Sequence, residues 1–186
     1  TLVVLGALGW LRPFAATPSA VDTMAGSRQV EVTSSSSIIT LTPSGPPPRT
    51  GLVFQPGARV DPRAYVPLLS RIAAEGYLVV VVKQPLGIAF TAVGAPGWIM
   101  EAHPEIDRWA LGGHSLGGVA ASSYAADHPA AVDGLLLWAS YPATSLAGRE
   151  DLQVTSVSGS RDGLAQPSDI EDSRADLPAD TTFVGV

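Results

Sequence analysis

A serine set between two glycines constrains this sequence more than any other feature. Residues 111–118 read LGGHSLGG, so Gly113 and Gly117 lie two positions to either side of Ser115. A short apolar run precedes the stretch and an alanine-rich segment follows it. This order predicts a strand, a sharp turn and a helix, with the Ser115 hydroxyl exposed at the helix N-terminus. The other parts of the chain can be tested against that arrangement.

Strand and helix patterns alternate through most of the chain. Short, wholly apolar runs are typical of strands that are covered on both faces, and helices are expected where apolar residues recur at helical spacing. The predicted strands cover 52–54, 78–82, 109–111, 134–138, 152–157 and 182–186. The predicted helices run from 62 to 76, over 98–106 with a break near Pro104, and over 117–128 and 168–175. The apolar face of the first is expected to carry Tyr65, Leu68, Leu69, Ile72 and Ala73, which fall at helical spacing. The alternation predicts an α/β fold with a doubly wound, mostly parallel sheet and helices on both faces.

The residues before this alternation have a different pattern. Two β-rich runs, 30–32 and 38–41, are separated by four serines and predict an antiparallel hairpin at a sheet edge. Residues 12–28 show no sustained period and are expected to form a connection. We therefore divide the chain into an N-terminal segment, 1–28, and a core domain, 29–186.

Residues 2–11 form an apolar run at the start of the sequence. A membrane-spanning helix needs about 20 apolar residues. The run is therefore either the tail of an upstream membrane anchor or signal peptide, or a core element packed on the domain. The first alternative favours a membrane-anchored or secreted protein over a cytoplasmic one, and the location is otherwise unknown.

The composition excludes several classes of function. The 186 residues suit one domain, and a net charge of -6 without a basic block argues against nucleic-acid binding. The chain has no cysteine and 3 scattered histidines, so disulfides are excluded and no metal cluster is expected. We expect neither a metal nor a cofactor.

A serine hydroxyl is a weak nucleophile at neutral pH, so it needs a base and donors that hold the developing oxyanion. The backbone N–H of Leu116, at the helix N-terminus, is the first candidate donor. The loop 55–58, of sequence QPGA, follows an earlier buried strand and brings its backbone to the same edge of the sheet. The N–H of Ala58 is the second candidate, with Gly57 as its alternative.

A carboxylate after a late strand is the candidate orienting acid. Asp162 lies in the segment SGSRDG, at the carboxyl end of the strand predicted over 152–157. Ligand sites of such sheets lie at those ends, and a carboxylate there can hold an imidazole in the required tautomer. Glu150 and Asp151 are weaker alternatives because they precede the strand.

These three segments, 55–58, 113–118 and 159–163, together resemble the α/β-hydrolases. The resemblance covers about residues 30–186 and is closest to the compact dienelactone-hydrolase-like and esterase-like branch. It implies acyl transfer to water through an acyl-serine, with Ser115 as nucleophile and Asp162 as acid. The implied substrate is a small-molecule carboxylic ester of small or medium size. A non-catalytic binding or interaction domain on the same fold, and cleavage of a thioester, lactone or amide, remain alternatives.

The resemblance also implies a histidine after the acid, and the sequence has none there. His103, His114 and His128 all precede Asp162. His114 lies inside the turn and is expected to point away from the Ser115 hydroxyl. We expect the catalytic histidine just after Val186, on a C-terminal segment or a second chain that completes the domain, so that the fold of these 186 residues lacks its C-terminal end. A protein that has natively lost its base is the rival, and either way the 186 residues alone should be inactive.

The region between 138 and 152 is too short for a large lid, although residues 84–104 could hold a cap. An open site suits small or medium acyl groups. Trp98, Trp138 and Tyr141 are candidates for lining the pocket, and a role as core and rim aromatics is equally open.

Overall fold

The computed structural model describes residues 13–186. The apolar run 2–11, and with it the expectation of an anchor or a signal peptide, lies outside the described residues. The strands are β1 (Val30–Ser34), β2 (Ile38–Pro43), β3 (Thr50–Gln55), β4 (Leu78–Val82), β5 (Arg108–His114), β6 (Gly134–Trp138), β7 (Gln153–Ser158) and β8 (Thr182–Gly185).

These strands form one sheet of eight in the order β1-β2-β4-β3-β5-β6-β7-β8. β1 pairs antiparallel with β2, and β2 with β4, whereas the pairs from β4 to β8 are parallel. The predicted edge hairpin and mostly parallel sheet are thereby confirmed. The strand order reverses between β3 and β5, and the carboxyl ends of strands at such a point open a crevice. That crevice lies beside Gln55 and Gly113, which are register partners.

The helices are α1 (Pro18–Asp22), α2 (Val66–Ala74), α3 (Ala95–Ala102), α4 (Leu116–Asp127) and α5 (Pro167–Asp172). They cover both faces of the sheet, so its central strands are buried on both sides; all five residues of β4 are buried. On one face Leu52 and Phe54 pack with residues of α2. On the other, Val53 packs in a cluster with residues of α3 and α4. Burial on both faces explains the continuous apolar runs of the sequence.

The predicted connection over 12–28 contains more structure than its pattern indicates. Thr17 caps α1 through its side chain, Pro18 occupies the first turn, and a short 3₁₀ helix, Thr23–Ala25, follows. The helix α1 has five residues, which is too few for a visible hydrophobic period. Before it, Phe14 forms a parallel bridge with Val60, two residues after the loop 55–58. Within residues 13–186, no helix is long and apolar enough to cross a membrane.

Other predicted elements differ from the observed ones mainly at their ends. The helix expected from 62 to 76 starts as a 3₁₀ helix, Pro62–Tyr65, and continues as α2. Leu68, expected on its apolar face, is 49% exposed. The helix expected over 98–106 starts and ends earlier, at Ala95–Ala102. In the 84–104 region, two short 3₁₀ helices, Pro85–Gly87 and Ala89–Ala92, precede α3.

Candidate active site

Ser115 occupies a strained turn between β5 and α4. Its backbone has φ 51° and ψ -124°, outside the regions that residues with a Cβ ordinarily adopt. The Ser115 N–H donates to Trp138 O at 2.9 Å, and Ser115 O accepts from the Ser140 hydroxyl at 2.8 Å. Both bonds come from the end of β6 and the residues after it, so the neighbouring strand holds the strained residue in place.

The two glycines of the motif permit close backbone contacts. A Cβ on Gly113 would overlap the backbone of Gly117, the second residue of α4. A Cβ on Gly117 would overlap the carbonyl oxygens of Gln55 and Pro56. The first contact lets the helix leave the strand at a sharp angle. The second brings the loop 55–58 against the first turn of α4, beside Ser115.

Two backbone N–H groups, those of Leu116 and of Ala58 in the loop 55–58, lack a protein acceptor in the described part of the chain. Within residues 13–186, neither the Leu116 N–H nor the Ala58 N–H donates to another protein group. The Leu116 N–H is one of the unpaired donors of a helix N-terminus, where the helix dipole favours negative charge. The Gly57 N–H is unlike them because it donates to the Tyr65 hydroxyl at 2.9 Å. Of the two candidates in this loop, the structure leaves only Ala58 with a free donor.

Buried side chains hold the loop 55–58 from below. The Gln84 amide donates to Gln55 Oε1 at 2.8 Å and to Pro56 O at 3.1 Å. The Gln55 amide donates in turn to Ala92 O at 3.2 Å. Gln55 is 1% exposed and Gln84 9%. The carboxyl ends of β3 and β4 and the 3₁₀ helix Ala89–Ala92 are therefore joined beneath the candidate site.

His114 faces the loop 55–58. Its Nδ1 lies 2.9 Å from the Tyr65 hydroxyl, and a Cβ on Gly57 would meet the same nitrogen. Burial lowers the pKa of His114 below its usual value, and the negative charge of Asp162 acts in the opposite direction. The lowered pKa makes the half-buried His114 ring a neutral partner of Tyr65 at neutral pH.

The two other histidines lie far from Ser115. His128 directly follows the 12-residue helix α4, which puts it about 20 Å along the helix axis from Ser115. His103 lies before β5, whose far end carries Ser115, and its Nδ1 is 2.8 Å from Glu105 Oε1. Neither residue can reach the Ser115 hydroxyl.

Asp162 lies in a tight loop after β7. Its Oδ1 accepts from the N–H groups of Leu164 at 2.8 Å and Ala165 at 3.1 Å. These bonds fix one carboxylate oxygen and leave Oδ2 without a protein hydrogen bond among residues 13–186. Leu164 and Ala165 also line the cavity that contains Ser115. The structure therefore brings the Asp162 loop and Ser115 to the same crevice. Glu150 and Asp151 precede β7 and lie towards its other end.

A small cavity opens over Ser115. It has a volume of about 190 Å³ and is lined by Ser115, Leu116, Val119, Ala139, Ser140, Tyr141, Leu164 and Ala165. Of the three aromatic candidates, Tyr141 borders this cavity. Trp98 lines a different cavity, of about 430 Å³, between α3 and the end of β4. The ring of Trp138 packs on Phe54 at 4.9 Å between centroids.

The model of the alpha/beta hydrolase family matches residues 51–186, from β3 to the final residue. The chain belongs to the α/β-hydrolase family. The match covers the loop 55–58, the Ser115 turn and the Asp162 loop, so the family resemblance of the sequence is confirmed.

Solved structures share the fold of this α/β-hydrolase at low sequence identity. A Thermus thermophilus protein, TT1662, is 16% identical, with a TM-score of 0.65 over 84% of this chain and 88% of that one. A thermophilic esterase from Thermogutta terrifontis is 15% identical, with a TM-score of 0.59 over 86% and 81%. An α/β-hydrolase from the metagenome of sediments of the Mar Chica lagoon, Morocco, is 15% identical, with a TM-score of 0.64 over 84% and 87%. Curated protein sequences contain no match.

Sequence reasoning misses two contributors to this α/β-hydrolase site. Tyr65 matches the helical period of its segment, which predicts a place in the core, yet its hydroxyl binds the loop 55–58. Ser140 carries no motif, and only the pairing of β5 with β6 shows that it lies under Ser115. Among residues 13–186, no group of acidic or histidine side chains could hold a metal ion.

Proposed function

We propose that this α/β-hydrolase is a serine esterase that cleaves small or medium carboxylic esters through an acyl-serine intermediate. The observation that carries the proposal is the strained Ser115, which is followed by the unpaired N–H of Leu116. A second unpaired N–H, that of Ala58, belongs to the loop that packs on the first turn of α4. A reacting carbonyl at this point would have its developing negative charge between two preorganised donors. Such donors commonly provide the largest single contribution to acyl-transfer catalysis.

In the proposed reaction, a base takes the proton of the Ser115 hydroxyl as its oxygen attacks the ester carbonyl carbon. The tetrahedral oxyanion is held by the N–H groups of Leu116 and Ala58. Collapse of this intermediate breaks the ester bond, and the leaving alcohol takes the proton from the base. Water, deprotonated by the same base, then attacks the carbonyl carbon of the acyl-serine. The bond from that carbon to the Ser115 oxygen breaks, the base returns the proton to Ser115, and the carboxylic acid is released.

We propose that the base is a histidine that follows Val186 in the protein and is oriented by Asp162 Oδ2. The direction of β8 supports this assignment. The Val186 N–H donates to Ser158 O at 2.9 Å, and the Ser160 N–H donates to Val186 O at 2.8 Å. The residues after Val186 would therefore start beside the Asp162 loop. A segment of a second chain placed there would serve the same role.

The size of the substrate is proposed from the cavity over Ser115. A volume of about 190 Å³ is below the range of about 300–1,000 Å³ usual for sites that enclose drug-sized ligands. Its lining is mostly apolar, with Val119, Tyr141 and Leu164 on its walls. Such a site suits short acyl chains and leaves a larger alcohol group in solvent.

The proposal is tested by hydrolysis of a short aryl ester, with the protein extended by the residues that naturally follow Val186. We expect turnover that Ser115→Ala abolishes and that Asp162→Asn lowers about 10⁴-fold in kcat, as for the acid of other serine triads. The asparagine oxygen can still accept from Leu164 and Ala165, so the loop should keep its shape. Asp127→Asn, at an exposed position on α4, is the matched control and should not change kcat. Ester turnover that survives Ser115→Ala would contradict the proposal.

A further inference from the structure

Tyr65 is the one buried hydroxyl, within residues 13–186, that touches both the loop 55–58 and the residue before the nucleophile. Its oxygen accepts from the Gly57 N–H at 2.9 Å, and the same oxygen lies 2.9 Å from His114 Nδ1. The ring is 9% exposed and packs on Phe54 at 5.0 Å between centroids. Tyr65 also joins the end of the 3₁₀ helix to the start of α2, so its position is set by two elements.

The direction of these two hydrogen bonds follows from the chemistry of the groups. An amide N–H can only donate, so the Tyr65 oxygen is the acceptor in its bond with Gly57. Among residues 13–186 the Tyr65 hydroxyl has no other hydrogen-bond partner than Gly57 and His114, so we assign its proton to His114 Nδ1, which then carries the lone pair. The proton of the neutral imidazole is consequently on Nε2. Burial supports this arrangement, because it raises the pKa of Tyr65 to about 12 and lowers the pKa of His114.

We infer that Tyr65 is a positioning residue for the oxyanion hole, acting through a Gly57–Tyr65–His114 relay. The relay occupies the Gly57 N–H, so the loop turns with the next donor, the Ala58 N–H, free at the surface of the crevice. It also fixes the loop to β5 one residue before Ser115. The spacing between the Ala58 and Leu116 donors is thereby tied to the nucleophile. This inference rests on the proposed esterase function and extends it to a residue that does not contact substrate.

The inference is tested first without substrate, on the 186-residue chain. Tyr65→Phe keeps the ring and removes the hydroxyl, so amide hydrogen exchange should rise at least about tenfold in a peptide spanning 55–61 and stay unchanged over β6. Tyr124→Phe is the matched control: Tyr124 is also buried, at 7% exposed, and its hydroxyl has no protein hydrogen bond among residues 13–186. Unchanged exchange over 55–61 in Tyr65→Phe would overturn the inference whatever the activity of the protein.

The second arm uses the protein extended beyond Val186 and a short aryl ester. Tyr65→Phe should lower kcat about 10- to 100-fold with KM nearly unchanged, because oxyanion donors act mainly in the transition state. The affinity for an arylboronic acid, which forms a tetrahedral adduct on the serine, should fall by a similar factor. A general loss of folded protein would lower the active fraction without weakening the boronate affinity of the remainder, and that result would overturn the inference.

Two substitutions of His114 distinguish the loss of its hydrogen bond with Tyr65 from the loss of its packing. Asparagine can place an acceptor near the position of Nδ1, whereas leucine cannot. His114→Leu should reproduce the kcat loss of Tyr65→Phe, and His114→Asn should recover most of it. Equal losses in both His114 variants, or a wild-type kcat in Tyr65→Phe, would overturn the inference and leave the esterase proposal intact. An extended protein that is inert with and without Ser115 would overturn the esterase proposal, and the exchange experiment would still decide the role of Tyr65.

Discussion

At the scale of single residues, the site depends on positions where a side chain is absent. Gly113 and Gly117 allow β5, α4 and the loop 55–58 to meet within van der Waals distance of one another. The sequence predicts these roles because glycines on both sides of a serine have little purpose in an ordinary helix start. Between these two glycines, Ser115 adopts the strained backbone conformation, with φ 51°.

Gly117→Ala should destabilise the protein and displace the loop 55–58. Its methyl group would overlap two backbone carbonyl oxygens, those of Gln55 and Pro56, which cannot move as a side chain can. Overpacking of this kind costs about 1–3 kcal/mol, measurable as the free energy of unfolding in urea. Gly148→Ala is the control because nothing lies within 4 Å of its added Cβ. Equal free energies of unfolding for the two variants would contradict the close approach of Gly117 to the carbonyl oxygens of Gln55 and Pro56.

His114 should make the protein less stable as the pH falls. Burial holds its folded-state pKa below the usual value of 6.5, so the unfolded chain takes up the proton first. The stabilising contribution of neutral His114 is therefore complete above pH 6.5 and is lost as the pH falls through the folded-state pKa. Tyr65 and Asp162 are the titratable groups facing it. The negative charge of Asp162 opposes the lowering of the His114 pKa, so it reduces the pH range over which this stability is lost. Tyr65 stays protonated throughout that range.

The measurement is the difference in unfolding free energy between the wild type and His114→Asn across the range from about pH 8 to about pH 5, which brackets the usual histidine pKa. Asparagine does not titrate, so other groups cancel in this difference. We expect the wild type to lose stability relative to the variant below about pH 6.5. A difference that stays constant, or that grows in favour of the wild type, would show that His114 is not held neutral.

At the scale of elements, hydrophobic periodicity predicts which segments pack on the sheet. It fails for an element that is short or that buries only one face. The wholly apolar β4 is evident from the sequence because every residue is buried. The five-residue α1 escapes prediction because its formation depends on the Thr17 cap. The expectation for Leu68 is wrong, since helical spacing does not tell how wide the buried face of α2 is. These failures concern contacts with other elements, which no local pattern contains.

Arg149 should be a main stabiliser of the C-terminal end of α4. Its guanidinium donates to Ala125 O at 2.9 Å, Pro129 O at 2.9 Å and Val132 O at 3.2 Å, and the side chain is only 15% exposed. A cation there also suits the helix dipole. Arg149→Met would leave these carbonyls without the charged donor, at a cost of about 1.5–3 kcal/mol.

The control for this prediction is Arg49→Met. Arg49 pairs with Asp107, but the two side chains are 68% and 55% exposed. Exposed pairs of this kind contribute less than about 1 kcal/mol. Urea unfolding of both variants gives the comparison. If Arg149→Met were no more destabilising than Arg49→Met, the three carbonyl contacts would not be important for stability.

At the scale of the whole molecule, the strand order places the candidate site. Alternation of strands and helices predicts a parallel sheet, and the motif order predicts which strand ends carry the site. The register that sets Gln55 beside Gly113 is not predictable from the sequence, nor is the bond between Tyr65 and His114, which are 49 residues apart. Both depend on side-chain packing between elements that are distant in sequence. The volume of the cavity over Ser115 depends on the same packing and is likewise not predictable from the sequence.

Hydrogen exchange should follow the position of each strand in the sheet. β5 pairs with β3 and β6 on its two sides, whereas β8 pairs only with β7, among the residues from 13 to 186. Most residues of β8 are exposed, and its backbone is at the sheet edge. Among peptides from the strands, those from β5 should therefore have the slowest amide hydrogen exchange. Peptides from β8 should be among the fastest to exchange. Protection of β8 equal to that of β5 would contradict this sheet order.

We propose Ser115 as the nucleophile of a serine hydrolase, and a fluorophosphonate is the sharpest probe of this claim. Attack of the Ser115 oxygen on phosphorus forms a P–O bond and releases fluoride, so mass spectrometry reads the modified residue. With the protein that carries the proposed histidine segment after Val186, we predict one adduct, on the peptide containing Ser115, and none in Ser115→Ala. An unmodified Ser115, or an adduct that persists in Ser115→Ala, would contradict the claim.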